Sequence, residues 1–544
     1  MARARGAHAR GAMAAIGFGK ARQIARAKAG RVGIGDVPGD QLLPFDGMGR
    51  QRAGHPQGVD PVKHRGVSSG SDKPGLNLNR FRNPFVAQEP AGKSEGGMDK
   101  MQSIAARMRR VRMTRHFGQV SAIQAGVILA GGLNSHASLG DRVVFSMRSG
   151  QVLNGEIVAL HSDQAVILPE GPMDGLSIST RVELVFAPML APANAWIGRI
   201  IDPFGRPLDG RPLVAGGEER GFRPPPPPAA SRNRLGGRLD TGLAVFDTLL
   251  PLVRGQRMGL FAGSGVGKST LLSMLAKGVP ADVVVIALVG ERGRELREFV
   301  EETLGEEGMA RSVVVAATSD QPPLMRRRCA WAAMTVAEHF RDQGRHVLFL
   351  ADSITRFAEA HREIALAAGE SPSYRGFPPS TSHLIMSLAE RSGPGPAGAG
   401  DITAIFSVLV AGSDMEEPVA DILRGVLDGH VVLDRAIAER GRFPAVDVLR
   451  SVSRSLPQAA SADENALIAR ARATLGTYAE SELMIRAGLY APGSDPALDE
   501  AVRLYPALDA FFTRRGGDAR QSFALLAEAL GVPPPISACG ERTL

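Results

Sequence analysis

The pattern of hydrophobic and polar positions changes twice along the chain of 544 residues. Between residues 118 and 190, short β-branched runs such as 142–145 and 164–168 alternate with glycine-containing turns, which is typical of a small β-barrel. From residue 252 onward, apolar strands alternate with helical stretches, as in a mostly parallel sheet covered by helices on both faces. Beyond residue 456, segments rich in Ala, Leu, Glu and Arg predict an all-helical C-terminal domain.

The N-terminal part of the chain lacks these patterns. Residues 1–97 show neither helical nor strand periodicity and contain Gly-, Pro- and Ser-rich stretches, so we expect them to be disordered or wrongly assigned to the gene. We favour a translation start near Met98, with a disordered docking tail as the alternative. Residues 101–120 are basic and predict a helix with Ile104, Met108 and Val111 on one face.

A proline-rich connection precedes the predicted sheet. Residues 221–228 end in five consecutive prolines, which predict an extended segment because proline lacks the amide hydrogen that helices and inner strands use. The proline-rich segment and the changes of hydrophobic pattern together predict five regions. They are an N-terminal extension (1–97), a helical segment (98–117), a β-barrel domain (118–190), an α/β domain with a parallel sheet (191–455) and a helical domain (456–544).

The formal charge of +8 is carried by the N-terminal extension. Residues 1–97 hold 16 Lys and Arg against 7 Asp and Glu, whereas residues 98–544 hold 48 against 49. The rest of the chain is therefore nearly neutral. The arginines of the extension lie among Gly, Ala and Pro without aromatic residues at stacking intervals, which argues against a nucleic-acid partner.

The sequence also indicates a compartment. No apolar run reaches the roughly 18 residues that a membrane-spanning helix needs, and no apolar stretch of signal-peptide length follows the basic N-terminus. Cys329 and Cys539 have neither metal-ligand spacing nor a disulfide framework around them, which fits a reducing environment. We expect a cytoplasmic protein with two inert thiols.

A glycine-rich loop joins the apolar run 258–262 to a predicted helix. This phosphate loop consists of Gly263, Ser264, Gly265, Val266, Gly267, Lys268, Ser269 and Thr270. Its glycines allow amide hydrogens to surround a phosphate, Lys268 reaches the β- and γ-phosphates, and Ser269 can ligate Mg²⁺. Ala262 stands where the strict pattern has glycine, a small departure because the later glycines line the anion. The loop predicts binding of ATP with Mg²⁺.

Two carboxylates follow predicted strands, at the sheet edge where ligands bind in open α/β proteins. Glu291 follows the apolar run 283–289 and is a candidate base, because attack on a γ-phosphate needs an oriented water. A surface salt bridge is the alternative role for Glu291. Asp352 follows the run 346–351 and is the residue type expected to hold the Mg²⁺ shell through water.

Four segments resemble the rotary family of F-type and V-type ATP synthase α/β subunits. They are the phosphate loop and residues 290–295, 352–357 and 444–454. The resemblance covers the chain from about residue 98 onward. It implies a RecA-like P-loop ATPase core between a β-barrel and a helical domain, Mg²⁺-dependent ATP hydrolysis, and assembly as a homohexamer.

The resemblance also implies roles for single residues. Glu291 would be the hydrolytic glutamate, Arg292 a phosphate-side partner, and Arg356 part of the active-site surround. Arg454 ends a segment that matches the arginine finger, so it would reach into the nucleotide site of a neighbouring subunit. Phe443 stands where catalytic subunits usually have a tyrosine that stacks on adenine, so the aromatic face is kept.

Within that family, residues 318–326 and 375–380 resemble type III export ATPases, and Val266 with residues 427–434 favours the flagellum-specific branch. The branch implies hydrolysis that energises flagellar protein export, at the cytoplasmic side of the inner membrane. The implied partners are an export regulator or stator protein at the N-terminal segment, a central stalk protein, export gate membrane proteins, and export substrates with their chaperones. Tyr374 stands where a smaller residue is usual and has no interpretation.

Three other interpretations stay open. An injectisome ATPase would share every catalytic residue and commonly has cysteine at the position of Val266. A ring-shaped RNA translocase would need aromatic residues in the barrel region, where residues 118–190 contain only Phe145 and Phe186. A nucleotide-binding scaffold without turnover would have no use for Glu291 as a base.

Overall fold

The computed structural model describes residues 114–124, 126–410 and 415–535. The strands are Phe117–Gln124 (β1), Val127–Gly131 (β2), Arg142–Ser146 (β3), Val152–Leu160 (β4), Gln164–Pro169 (β5), Arg181–Val185 (β6), Met189–Leu190 (β7), Arg199–Ile201 (β8), Arg220–Gly221 (β9), Arg257–Ala262 (β10), Val283–Glu291 (β11), Ser312–Thr318 (β12), Val347–Asp352 (β13), Ile402–Leu409 (β14), Gly429–Leu433 (β15) and Val446–Ser453 (β16).

Most of the helices follow the phosphate loop. They are Ala244–Asp247 (α1), Lys268–Gly278 (α2), Gly293–Glu298 (α3), Gly305–Met309 (α4), Pro323–Arg341 (α5), Ile354–Ala367 (α6), Ser380–Glu390 (α7), Pro418–Val426 (α8), Arg435–Glu439 (α9), Ala462–Arg486 (α10), Pro496–Phe511 (α11) and Ala519–Ala529 (α12). A π-helical turn, Phe299–Leu304, links α3 to α4.

Six antiparallel strands form a closed barrel in the order β1-β2-β5-β4-β3-β6, around a core that includes Ile128, Phe145 and Ile167. The predicted helix over residues 101–120 is wrong at its end, because residues 117–120 lie in β1. There Gly118 and Val120 are buried between exposed neighbours, and this period of two suits a strand. Residues 1–113, with Met98, Ile104, Met108 and Val111, lie outside the described residues.

An eight-stranded sheet follows the barrel, in the order β16-β15-β10-β14-β13-β11-β12-β8. Its pairs are parallel except for β15 with β16, which is antiparallel. One face packs on α2 and on the C-terminal helices, with Leu271, Leu508 and Phe523 in one apolar cluster. The other face packs on α5 and α6, where Trp331 and Phe357 are buried. The predicted fold class is confirmed.

Buried ion pairs join the barrel to the α/β domain. Glu156 of β4 accepts hydrogen bonds from Arg327, at 2.9 Å, and from Arg328, both on α5. Glu170 accepts from Arg328 at 3.2 Å and from Arg142 at 2.7 Å. The guanidinium groups of α5 thus have their carboxylate partners on the barrel, so each domain neutralises charge buried by the other.

The sequence predicts no membrane-spanning helix and two inert thiols. Within the described ranges, none of the helices combines the length and apolar character that crossing a bilayer requires. Cys329 is fully buried in α5, and burial raises the pKa of its thiol. Cys539 lies outside the described residues.

Candidate active site

The phosphate loop connects β10 to α2 at the carboxyl edge of the sheet. β10 ends at Ala262 and α2 begins at Lys268. Gly265 and Gly267 have φ of 78° and 85°, the left-handed region that favours glycine. Within the described residues, the amides of Ser264, Gly265 and Gly267 donate to no protein acceptor. Unpartnered amides at a helix N-terminus favour an anion, so the loop is suited to bind phosphate.

Lys268, the first residue of α2, lies between the carboxylates of Glu291 and Asp352, which end two strands of the sheet. Its ammonium group donates to Asp352, at the end of β13, and lies 3.8 Å from Glu291 Oε1, at the end of β11. In the sheet, β13 and β11 are neighbours, and β14 separates β13 from β10. The structure therefore brings together three residues that the sequence predicted for one site.

A backbone irregularity precedes the Glu291 side chain. The pairing of β11 with β12 shifts register between Val289 and Glu291, and Gly290 has φ of 71°. Bulges of this kind redirect the adjacent side chain. Burial raises the pKa of the Glu291 carboxyl to about 7; the charge of Asp352 adds to the increase, and Lys268 opposes it. A carboxylate with this pKa is suited to accept a proton near neutral pH.

Ser407 is a site residue that the sequence analysis missed. It is fully buried in β14, and its Oγ donates to Asp352 Oδ1 at 2.6 Å. The same oxygen accepts from Lys268, so two donors fix the orientation of the carboxylate. The available signal was a hydroxyl inside the apolar run 402–410, because buried polar groups are normally hydrogen-bonded. Periodicity does not identify the partner.

Phe443 lies beside the phosphate loop. A Cβ atom placed on Gly267 would be 3.3 Å from Phe443 Cδ1, so the ring and the loop backbone are in close contact. The side chain is 49% exposed, which leaves part of the ring accessible to a ligand. The aromatic residue is therefore available for stacking beside Gly267, where the loop meets the start of α2.

The two other predicted arginines lie around the Lys268 cluster. Arg292 is 79% exposed and pairs with Glu295 at 3.1 Å. Arg356 pairs with Glu359 at 2.8 Å, and its Cβ would be 3.2 Å from a Cβ placed on Gly290. Both guanidinium groups are thus engaged with glutamates three residues further along the chain.

Arg454 lies at the opposite edge of the sheet. Leu433 pairs with both Ala262 and Val446, so the start of β16 is level with the phosphate loop. Ser453, at the end of β16, pairs with Gly429, about 13 Å away along β15 at the usual rise per residue. The structure therefore does not bring Arg454 into the nucleotide site of its own chain.

A model of the ATP synthase alpha/beta family, nucleotide-binding domain, matches residues 242–453. A model of the T3SS EscN ATPase C-terminal domain matches residues 460–528. The flagellum-specific ATP synthase of Caulobacter vibrioides is 45% identical over 440 residues, which cover 79% of this chain and 99% of that protein.

Proteins of type III secretion are also similar. The type 3 secretion system ATPase of Xanthomonas euvesicatoria is 41% identical over 402 residues, covering 74% of this chain and 90% of that protein. The structure of the assembled ATPase EscN from the enteropathogenic E. coli type III secretion system covers 76% of this chain and 100% of that chain, at 35% identity and a TM-score of 0.69. EscN in complex with its central stalk EscO matches with a TM-score of 0.68.

Proposed function

Because the chain belongs to the ATP synthase alpha/beta family, in its flagellum-specific and type 3 secretion branch, we propose that it is a ring-forming, Mg²⁺-dependent ATPase that energises flagellar protein export. The observation that carries the proposal is the cluster of Lys268, Glu291 and Asp352 beside unpartnered amides of the phosphate loop. In this proposal, residues 118–190 form the barrel, 191–455 the catalytic domain and 456–544 the helical domain.

The hydrolytic step assigns one task to each residue. Amides of the phosphate loop and Lys268 bind the β- and γ-phosphates and compensate their charge. Glu291, in its ionised form, orients a water molecule and takes its proton as the water oxygen attacks the γ-phosphorus. The bond to the β,γ-bridging oxygen breaks, and ADP and inorganic phosphate result. Phe443 stacks on the adenine at the loop.

The donor set fits a magnesium ion. Ser269 offers a hydroxyl in the first turn of α2, and Asp352 offers a carboxylate held by Ser407, and hard oxygen donors of this kind suit Mg²⁺. When bound, the ion supplies charge compensation to the phosphate oxygens. Asp352 accepts a hydrogen bond from Lys268, so the two groups neutralise each other's charge.

The position of Arg454 supports a ring. An arginine at the sheet edge opposite its own phosphate loop cannot complete that site, and we propose that in a head-to-tail ring this edge faces the next subunit. There Arg454 stabilises the charge that develops on the γ-phosphoryl group, and Arg292 and Arg356 contribute positive charge at the rim. We infer a homohexamer, in line with the assembled state of the similar EscN.

The proposed place of action is the cytoplasmic side of the inner membrane at the export apparatus. The similar EscN forms a complex with a central stalk, and we propose a corresponding stalk protein for this chain. A regulator or stator protein at the N-terminal segment, export gate proteins, and substrates with their chaperones complete the proposed partners. An injectisome ATPase is the second candidate, favoured by the match to a type III secretion C-terminal domain.

Turnover against protein concentration tests the enzymatic part. We expect the rate per subunit to rise with concentration as rings form, and Arg454→Ala to lower the plateau by about 10³-fold or more. Arg435→Ala is a matched control, because Arg435 is exposed and pairs with Glu439 within its own helix. A rate that depends neither on concentration nor on Arg454 would refute the shared site.

A deletion strain separates the two export machines. We expect loss of the gene to abolish secretion of flagellin and motility, and the Glu291→Gln variant to fail to restore either. Restoration by the wild-type gene is the control. If flagellin is still exported while secretion of virulence effectors stops, the injectisome function is correct.

A further inference from the structure

The strand that leads to Arg454 contains an irregular segment. His430 of β15 pairs with Val452 of β16, and Val432 pairs with Asp447, so two steps along β15 correspond to five along β16. β16 is also the last strand of the sheet and has a neighbour on one side only. The backbone N–H and C=O groups of β16 between Asp447 and Val452 therefore lack the regular hydrogen bonds of a strand pair. They need other hydrogen-bond partners.

Part of this need is met within the α/β domain. Asp447 Oδ1 accepts from the amides of Leu449, at 3.1 Å, and Arg450, at 3.2 Å. His430 Nε2 lies 3.0 Å from the carbonyl oxygen of Arg450. These contacts shape the irregular segment, residues 448–451, but they do not connect it to any other domain.

Arg472 supplies the connection to the helical domain. It lies on α10, where Nη1 donates to the carbonyl of Val448 at 3.1 Å and Nη2 donates to that of Ser451 at 3.1 Å. Nη2 also donates to the carbonyl of Leu249 at 3.4 Å. The forked guanidinium group, with five donors, can bridge several carbonyls at once, which an ammonium group cannot do with the same geometry.

The surroundings of Arg472 indicate that its role is to donate hydrogen bonds to these carbonyl oxygens. Among the described residues no carboxylate pairs with it, and burial lowers the pKa of its guanidinium. A half-buried charge without a counter-ion is unfavourable unless its donors are satisfied. An arginine that served only to cover apolar surface could be replaced by an uncharged residue without this penalty.

The irregular segment ends where the predicted finger begins. Ser451 precedes Arg454 by three residues of extended backbone. The Arg454 amide donates to the carbonyl of Asp428 at 2.9 Å. Its guanidinium group donates to the carbonyls of Leu427 and Arg424, each at 3.1 Å, near the end of α8. In the single chain, Arg454 is thus held at the surface of its own domain, and its presentation depends on the backbone that Arg472 fixes.

We propose that Arg472 is a positioning residue that fixes the irregular segment of β16 to α10 and thereby sets where Arg454 meets the neighbouring subunit's nucleotide. The inference rests on the proposed shared site. It gives the helical domain a direct mechanical influence on hydrolysis, because a displacement of α10 moves the carbonyls of Val448 and Ser451. Misplacement of about 1 Å at a reacting centre can lower a rate on the order of 10²-fold.

A double-mutant cycle with Arg472→Lys and Arg454→Ala tests the proposal. The rate of γ-phosphate release is measured on assembled protein at saturating concentration, with radiolabelled ATP so that slow variants are quantified. We expect Arg472→Lys to lower kcat about tenfold or more and to change KM for ATP less than twofold, because the phosphate loop is untouched. In the Arg454→Ala background, we expect Arg472→Lys to have no further effect.

The outcomes separate the inference from the function on which it rests. Wild-type turnover by Arg454→Ala overturns the shared site itself. A strong effect of Arg454→Ala combined with wild-type turnover by Arg472→Lys, or with effects that multiply in the double variant, overturns only the role of Arg472. Arg470→Lys is the matched control: Arg470 lies on the same helix and pairs with Glu500 at 2.7 Å at the surface, so its replacement leaves kcat unchanged. Unaltered binding of a fluorescent ADP analogue to Arg472→Lys excludes general unfolding as the cause of a loss.

Discussion

Ser407 illustrates how one hydroxyl can orient a carboxylate, here that of Asp352, which is proposed to hold the magnesium ion. Its Oγ bonds the Asp352 oxygen that also accepts from Lys268, and the whole contact is buried. Partners that hold a ligand in place typically contribute 10–100-fold to metal affinity or activity. The Ser407 hydroxyl therefore contributes to the site by orienting the Asp352 carboxylate.

We expect Ser407→Ala to lower turnover about tenfold at limiting Mg²⁺ and to recover partly when Mg²⁺ is saturating, because an Asp352 carboxylate that has lost one of its two donors holds the ion shell less well. Steady-state rates at a series of Mg²⁺ concentrations measure this. Ser387→Ala is the control, since the Ser387 hydroxyl donates within its own helix to Leu384 at 2.9 Å. Equal rates for Ser407→Ala and wild type at every Mg²⁺ concentration would contradict the assignment.

The raised pKa of Glu291 predicts a pH profile. Because a base works only when ionised, kcat/KM should rise with pH up to about 7 and then level off. The same raised pKa has the opposite effect on folding stability, which falls as pH rises. A carboxyl whose pKa is raised on folding stabilises the fold below its unfolded pKa, and this contribution is lost as pH rises through about 7.

Glu295 provides the variant that moves this profile. Its hydrogen bond and its charge both raise the pKa of Glu291. We therefore expect Glu295→Ala to shift the rising limb of kcat/KM to lower pH, whereas Glu298→Ala, an exposed change on the same helix, leaves it in place. A limb that stays fixed in Glu295→Ala would show that another group titrates.

At the level of elements, α5 and β4 form a buried electrostatic contact between the barrel and the α/β domain. Glu156 neutralises Arg327 and Arg328, and the side chains of all three are less than a tenth exposed. Removing one partner of a buried ion pair leaves charge without compensation, which is worth about 3–5 kcal/mol. The barrel is therefore fixed to the core by a contact that is highly sensitive to the loss of a single carboxylate.

We expect Glu156→Gln to reduce the free energy of unfolding by about 3–5 kcal/mol, since glutamine keeps the shape but not the charge. The measurement is the urea transition in which the barrel strands unfold, followed by circular dichroism. Glu183→Gln on β6 is the control, because Glu183 pairs at 3.5 Å with an arginine that is 70% exposed, so we expect a change below about 1 kcal/mol. A similar shift in both variants would argue against a special role for the α5 contact.

The elements that the sequence predicted well are those specified by local signals. Strand, glycine loop and helix around Lys268 follow from turn chemistry and an apolar run, and strand ends locate Glu291 and Asp352. Contacts between distant segments carry no local signal. The hydrogen bond from Ser407 to Asp352 depends on which strands become neighbours in the sheet. The hydrogen bonds from Arg472 to carbonyl oxygens of β16 depend on where α10 packs. The end of the predicted N-terminal helix failed because residues 117–120 joined the barrel, where pairing partners override a weak helical period.

At the scale of the whole molecule, every residue assigned to catalysis lies between residues 263 and 454. The charged extension, residues 1–97, is outside the described residues and carries none of the predicted chemistry. The alignment with the Caulobacter relative covers 79% of this chain and 99% of that protein, which leaves about a fifth of this chain unmatched. We therefore expect hydrolysis not to depend on the extension.

We expect a variant that starts at Met98 to hydrolyse ATP at the same rate per subunit as the full chain at saturating protein concentration. Phosphate release at several ionic strengths measures this, because a contribution from the basic extension would weaken with salt. A tenfold loss in the shorter variant would assign the extension a part in assembly. Mass spectrometry of the native N-terminus establishes whether cells contain it.

Strand β16 connects two residues that are assigned to different nucleotide sites. Phe443 stands before its first residue at one edge of the sheet, and Arg454 follows its last residue at the other. Under the proposed assignment, the residue that stacks on the adenine of one site and the arginine that completes the neighbouring subunit's site are joined by a single covalent segment. A shift of β16 on nucleotide binding would then move the arginine that the neighbouring site uses.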